Sequence, residues 1–83
     1  MAPYSPPIAH YAHITLEDMS ALDLQRIVGR NGRYLYTLTS HAGLKYIWMD
    51  FENKRLELWG SYNSFLRGAQ QFVESAIVNR IST

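Results

Sequence analysis

Residues 27–35, Ile-Val-Gly-Arg-Asn-Gly-Arg-Tyr-Leu, form a Gly-x-x-Gly turn between two segments whose apolar residues have helical spacing. Gly29 stands where an incoming helix ends and the backbone needs a positive φ, and Gly32 leaves the first amides of the next helix uncovered by a side chain. Arg30 and Arg33 flank a helix N-terminus, whose free N–H groups already favour anions. The stretch therefore predicts a tight, exposed turn suited to a phosphodiester.

Composition limits the chain to one small globular domain. It has 83 residues, 47% of them hydrophobic and only 18% charged, which excludes disorder of the whole chain. The absence of cysteine excludes a disulfide framework and a thiolate metal site. There is no apolar run of membrane-spanning length and no signal-peptide pattern, so we expect an intracellular protein, nuclear or cytoplasmic, with no membrane partner.

The formal net charge of +1 is too small to predict nucleic-acid binding from overall charge. The distribution of charge is more informative, because Arg26, Arg30 and Arg33 lie close together with no acid among them. Most acids lie instead in residues 17–23 and 50–57. The sequence thus predicts a locally positive field at the turn.

The N-terminal half predicts a tail, a strand and two helices. Residues 1–7 carry all three prolines and predict a flexible extended tail, which leaves residues 8–83 for the domain. Alternation then predicts a half-buried strand with Ile8, Ala12, Ile14 and Leu16 on one side and Tyr11, His13, Thr15 and Glu17 on the other.

Two short helices are expected on either side of the turn. Ser20, three residues before Asp23, is a cap for a helix over residues 21–28 that Gly29 ends. A second helix of about three turns ends at Gly43. Its apolar face consists of Tyr34, Leu35, Leu38 and Ala42.

A hairpin and a long helix complete the chain. Apolar and polar residues alternate in residues 46–52 and 55–59, which predicts two strands joined by a two-residue Asn53-Lys54 loop. This loop sets a register that pairs Phe51 with Leu56, Met49 with Leu58 and Trp48 with Trp59. A longer loop would change the register. Ser61 then caps a helix reaching about Arg80, in which Gly68 predicts close packing against a neighbour. The stripe that covers the sheet consists of Phe65, Leu66, Ala69, Phe72, Val73, Ala76 and Ile77.

This order of elements resembles that of the eukaryotic, type I K homology (KH) domain. Residues 27–38, Ile-Val-Gly-Arg-Asn-Gly-x-x-Leu-x-x-Leu, resemble the family signature, residues 42–43 stand where the family often has Thr-Gly, and residues 56–60, Leu-x-Leu-x-Gly, resemble its third-strand ending. The resemblance covers roughly residues 8–80. It implies an α+β fold of order β-α-α-β-β-α, with a three-stranded antiparallel sheet packed against three helices.

The resemblance also implies a function, because the family clamps about four nucleotides of single-stranded RNA or DNA with its Gly loop. RNA is the commoner ligand of the family. By position, Gly29, Arg30, Asn31 and Gly32 would hold phosphate, Arg33 would assist, Gln25 and Val28 would line the groove, and Tyr46 or Ile47 would form its far wall.

Two departures from the family modify this expectation. The loop between the second and third strands, which forms one side of the nucleic-acid groove in the family, is almost absent. Tyr46 stands where the family usually has an aliphatic residue. We therefore expect weak sequence selectivity, with a tandem domain or protein partner completing recognition. The alternative is a KH-fold protein-interaction or dimerisation domain that uses Trp48 and Trp59 and binds no nucleic acid.

Catalysis and metal binding have little support in the sequence. His10 and His13 are three apart on a strand and so face opposite sides, and His41 belongs to a separate helix. No Ser/His/Asp or Cys/His set is suggested, and the acids of the hairpin imply no cleft. We expect a binding module that is not an enzyme and has no cofactor.

Overall fold

The computed structural model describes residues 10–60 and 63–82, with side chains described for residues 10–60 and 66–82. The elements are β1 (His10–Thr15), α1 (Ala21–Val28), a 3₁₀ turn (Arg30–Gly32), α2 (Arg33–Ala42), β2 (Tyr46–Asp50), β3 (Arg55–Gly60) and α3 (Asn63–Ser82). The predicted α+β class and three-stranded antiparallel sheet are confirmed. The predicted tail (residues 1–7), Ile8, the Ser61 cap and the side chain of Phe65 lie outside the described part.

Local capping signals set the ends of the first two helices. The Ser20 side chain accepts a hydrogen bond of 3.2 Å from the Asp23 amide, which satisfies one of the N–H groups left free at the start of α1. Gly29 ends α1 and donates its amide to the carbonyl of Gln25 at 3.0 Å. Gly43 ends α2 with a φ of 69°, in the left-handed region that favours glycine. The predicted bounds and caps of both helices are confirmed.

The sheet has the order β1-β3-β2, and the helices pack against one of its faces. Leu56 and Leu58 on the central strand are fully buried beneath Leu24, Ile27, Val73 and Ile77. Each fully buried side chain of this size contributes about 1.5–3 kcal/mol relative to an exposed one. The inner face of the sheet is therefore part of the core.

We call the opposite side of the sheet the outer face. It carries Tyr11, His13 and Thr15 of β1, Tyr46, Trp48 and Asp50 of β2, and Arg55, Glu57 and Trp59 of β3.

The predicted register of the hairpin is wrong by two residues. Trp48 lies opposite Glu57 and Asp50 opposite Arg55, because the loop consists of residues 51–54. The cause is the Asp50 carboxylate, which accepts hydrogen bonds from the backbone and side-chain amides of Asn53 at 3.1 and 2.9 Å and closes the longer loop. A shift of two preserves the alternation of faces, so the inner residues stay inside. Phe51 leaves the sheet and is exposed, and the expected Trp48–Trp59 pair does not form.

Two expectations about α3 are also wrong. Phe72 is 46% exposed, whereas its neighbour Val73 is fully buried with Leu66, Ala69 and Ile77. Adjacent positions on a helix point about 100° apart, so a narrow sheet buries one of the two and leaves the other at its edge. A β-carbon added at Gly68 meets no atom within 4 Å, so this glycine does not mark close packing.

Candidate nucleic-acid interface

The Gly turn, residues 29–32, has positive φ angles that residues other than glycine rarely adopt. Gly29 has φ 78° and ψ 175°, Asn31 has φ 56° and Gly32 has φ 74°. A β-carbon at Gly29 would lie 2.8 Å from Cβ and 2.9 Å from the amide nitrogen of Tyr34, so packing as well as conformation demands glycine there. Asn31 is one of the residues that tolerates the left-handed region. The turn is thus held in one shape by its own sequence.

The exposed side chains of the turn are cationic and polar. Arg30, Asn31 and Arg33 all project into solvent, as the sequence predicts. The N-terminus of α2 has no side-chain cap and no acid in its first turn, so nothing there competes with an incoming anion. The turn therefore places exposed positive charge at an uncapped helix N-terminus, and charged donors of this kind bind phosphate well.

Beside the turn lies an open pocket of about 350 Å³, which we call the Arg pocket. None of its described lining residues is acidic; they are Gly29, Arg30, Arg33, Tyr34, Thr37 and Arg80. Arg80 comes from the end of α3 and was not predicted as a site residue. No local sequence signal points to it, because only the packing of α3 beside the turn brings it to the pocket.

Contacts with Tyr34 and Arg26 position Arg80. Its guanidinium carbon lies 3.9 Å from the centre of the Tyr34 ring, a cation–π geometry, and its Nε donates to the carbonyl of Arg26. Arg26 in turn donates to the carbonyl of Arg80 at 3.1 Å and lies 4.0 Å from the Asp23 carboxylate. The two hydrogen bonds between Arg26 and Arg80 therefore link α1 to α3. They hold Arg80 at the Arg pocket, which Arg30 and Arg33 also line.

The other predicted groove residues are only partly assembled. Gln25 is exposed and Val28 half-buried on the last turns of α1, next to the Gly turn. Ile47 is buried in the core opposite Leu58, so its side chain does not form a wall of a groove. Tyr46 lies on the outer face with its ring centre 5.7 Å from that of Trp59.

Tyr36 is a second residue that the sequence interpretation did not select. It is 74% exposed on α2, and its ring edge lies 3.8 Å from where a β-carbon of Gly32 would stand. Burial raises the pKa of Tyr46, and the nearby phenol of Tyr36 acts in the same direction, so the two rings are neighbours. Tyr36 thus offers an open aromatic surface between the turn and β2. The sequence could have indicated Tyr36 as an aromatic residue that lies outside the apolar face of the second helix.

The rest of the described chain contains few alternative sites. Within residues 10–60 and 63–82, no three His, Asp or Glu side chains are grouped so that they could hold a metal ion. No helix in the same ranges has both the length and the apolar character needed to cross a bilayer. Comparisons with protein-family models, with curated proteins and with solved structures found no match for this chain.

Proposed function

We propose that this protein binds single-stranded nucleic acid by seating the phosphate backbone on the Gly turn, with RNA as the expected ligand because it is the commoner one in the family that the sequence resembles. The observation that carries the proposal is the Gly turn itself, where two positive-φ glycines set a tight backbone that holds the exposed Arg30 and Arg33 beside the Arg pocket, whose described lining contains no acid. Its two arginines and Arg80 concentrate three positive charges on a molecule of net charge +1.

The contacts divide into two kinds. Phosphate oxygens accept hydrogen bonds from the side chains of Arg30 and Arg33, which fixes the position of the strand without reading its sequence. A base then stacks on the exposed ring of Tyr36, an interaction that every base allows. Since Ile47 is buried and the hairpin loop is short, few side chains are left to read base edges. The protein discriminates poorly between sequences and gains affinity from a tandem domain or protein partner.

The proposal that the chain is a type I KH domain is supported by its residues and by its α+β fold. The signature glycines lie at a turn between two helices, and helices pack against a three-stranded antiparallel sheet. In that family the Gly loop contacts the backbone of about four nucleotides. The same length of strand is the size of ligand expected here.

An NMR titration of the ¹⁵N-labelled protein with short single-stranded RNA of mixed sequence tests the proposal. We expect amide shifts concentrated in residues 25–36 and a side-chain shift at Arg80, and the same titration with single-stranded DNA distinguishes RNA from DNA as the ligand. Double-stranded RNA of equal length is the control and should give weak, uniform changes. Absence of shifts in residues 25–36 at millimolar oligonucleotide would contradict the proposal and favour the protein-interaction alternative.

A further inference from the structure

The Arg pocket lies on one side of α2, and the exposed ring of Tyr36 lies on the other. Tyr34 faces α3, because its hydroxyl donates to the Ala76 carbonyl at 3.4 Å and the Arg80 guanidinium covers its ring at 3.9 Å. Tyr36 follows two residues later, which places it about 200° around the helix, where it neighbours Tyr46 of β2. A strand stacked on Tyr36 therefore reaches the Arg pocket by bending around the start of α2.

The positive charges of the Arg pocket have no carboxylate beside them. All seven Asp and Glu residues of the chain lie in the described part, and none of them lines the pocket. Arg30 and Arg33 are exposed, and neither forms an ion pair with any described residue. Arg80 brings a third positive charge to the lining, and its contacts with Tyr34 and Arg26 hold it there.

This arrangement suits an anion of higher charge than a phosphodiester. A phosphodiester within a strand carries one negative charge and has two oxygens free to accept hydrogen bonds. A phosphate monoester carries about −1.5 to −2 charge at pH 7 and has three such oxygens. Guanidinium groups bind these oxygens through charge-assisted hydrogen bonds, which are often bidentate. The volume of about 350 Å³ is in the range of small-ligand sites and admits a phosphate together with its sugar.

We propose that the phosphate held by Arg30 and Arg33 is a terminal one, a phosphomonoester at the end of a strand, seated in the Arg pocket. The rest of the strand runs over the Gly turn to Tyr36. The end of a strand can turn around the start of α2 into the pocket, whereas an internal nucleotide would have to continue past α3. The inference rests on the proposed function, because the strand must also lie on the Gly turn.

Recognition of an end provides a selectivity that the turn lacks. Few side chains near the turn are placed to read base edges, whereas a terminal phosphate marks the end of a strand whatever its base sequence. Hydrolysis of an internal phosphodiester leaves a phosphomonoester on one of the two new ends and a hydroxyl on the other. The ligand expected here is therefore a product of phosphodiester cleavage.

The test compares RNA strands of one sequence and about four nucleotides, carrying a 5′-phosphate, a 3′-phosphate or hydroxyls at both ends. Isothermal titration calorimetry at fixed ionic strength and pH 7.5 gives each Kd without a label on the strand. We expect one phosphorylated strand to bind about tenfold more tightly than the hydroxyl-ended strand, the effect of one further charge-assisted hydrogen bond. The position of its phosphate then identifies which end the pocket takes.

A hydroxyl-ended strand two nucleotides longer controls for total charge, because its two added phosphodiesters match the charge of a terminal phosphate. We expect it to bind more weakly than the preferred phosphorylated strand. Equal affinity of the phosphorylated and hydroxyl-ended strands of one length overturns the inference. So does equal affinity of the longer hydroxyl-ended strand and the phosphorylated one. In both cases binding at the turn, and with it the proposed function, is retained.

Two variants locate the preference in the pocket. T37E adds a carboxylate to the lining at an exposed position of α2, so the preference for a terminal phosphate should disappear while the hydroxyl-ended strand still binds. S40E adds the same charge to α2 at an exposed position outside the described lining and should keep the preference. Melting curves check that both variants fold. A preference that persists in T37E overturns the inference.

Inorganic phosphate tests the pocket without a strand. The Nε–H signals of Arg30 and Arg33 should shift saturably in NMR spectra as phosphate is added, and chloride at the same ionic strength should not reproduce the shift. Absence of a phosphate-specific shift overturns the inference even where strands bind. Failure of the proposed function looks different, since then no strand shifts the amides of residues 25–36, whatever its ends, and the inference falls with it.

Discussion

The Gly turn and the outer face of the sheet both carry charge, but they hold it in opposite ways. Arg30 and Arg33 stand in solvent on a rigid backbone, where charge costs little and acts over roughly a Debye length of about 8 Å at physiological salt. Glu57 is buried among rings, where charge is costly and acts only on a group in contact with it. The comparison teaches that charge on an exposed turn needs no compensation within the fold, whereas a carboxylate buried in a sheet depends on hydrogen bonds from its neighbours, such as that from Tyr11.

The largest expected effect comes from reversing the charge of the turn. In R30D/N31D the backbone keeps its shape, because aspartate tolerates turn conformations and favours a helix N-terminus, so the free energy of unfolding should fall by at most about 1 kcal/mol. Nucleic-acid affinity should fall below detection in a fluorescence anisotropy titration. The substitutions replace the positive charge of Arg30 by two negative charges, which repel the phosphate that approaches the turn.

A matched variant separates this local effect from overall charge. R67D/Q71E makes the same change of net charge at two exposed positions of α3, far from the turn. It should retain most of the affinity at physiological salt. If R30D/N31D binds as tightly as the wild type, the Gly turn is not the site.

The second prediction concerns the backbone of the turn. G29A places a β-carbon 2.8 Å from Cβ of Tyr34 at a φ of 78°, so thermal or urea unfolding should show a loss of about 2–4 kcal/mol. G68A is the control, since the site is open and in a helix, and it should stabilise by about 0.5–1 kcal/mol. Equal stability of G29A and the wild type would mean that the turn is not rigid.

The third prediction concerns the hydrogen bond on the outer face. Y11F removes the donor to Glu57 and leaves the buried carboxylate without a described partner, which should cost about 1–3 kcal/mol at pH 7. The same substitution should alter the response to alkali. The pKa of Tyr11 is raised to about 12 from 10.0, so its contribution is fully present below pH 10 and is lost as pH rises towards 12.

Melting curves between pH 9 and 12 check this sign. The wild type should lose more stability than Y11F across that window, because the unfolded phenol releases its proton first. A tyrosine of the wild type should also titrate late in absorbance at alkaline pH. Parallel curves for the two proteins would show that the Tyr11–Glu57 bond does not contribute to stability.

The smallest effect is expected at Arg80. Three arginine contacts to a single strand predict a slope of log affinity against log salt of about −2.1, which R80Q should reduce to about −1.4. R80K keeps the charge and should keep the slope, although it loses the fork that engages Tyr34 and Arg26. R67Q, at an exposed site outside the Arg pocket, should change nothing. A slope unaffected by R80Q would place the strand away from the Arg pocket.

The sequence by itself determined the local features of this protein. Ser20, Gly29 and Gly43 mark helix ends because capping depends on residues within one turn of each other. The alternation of β1 and of the hairpin assigned the inner face correctly, since it depends only on the two-residue period of a strand. Arg30 and Arg33 could be selected as site residues for the same reason, because their motif is contiguous.

Tertiary structure decided everything that depends on residues far apart in the chain. Arg80 reaches the Arg pocket through packing against Tyr34, and Glu57 is buried because β3 lies between two strands that carry aromatic rings. Val73 rather than Phe72 is the buried neighbour because Val73 lies on the side of α3 that packs into the core. None of these outcomes has a local signal, since each depends on which distant surface a side chain meets after the chain has folded.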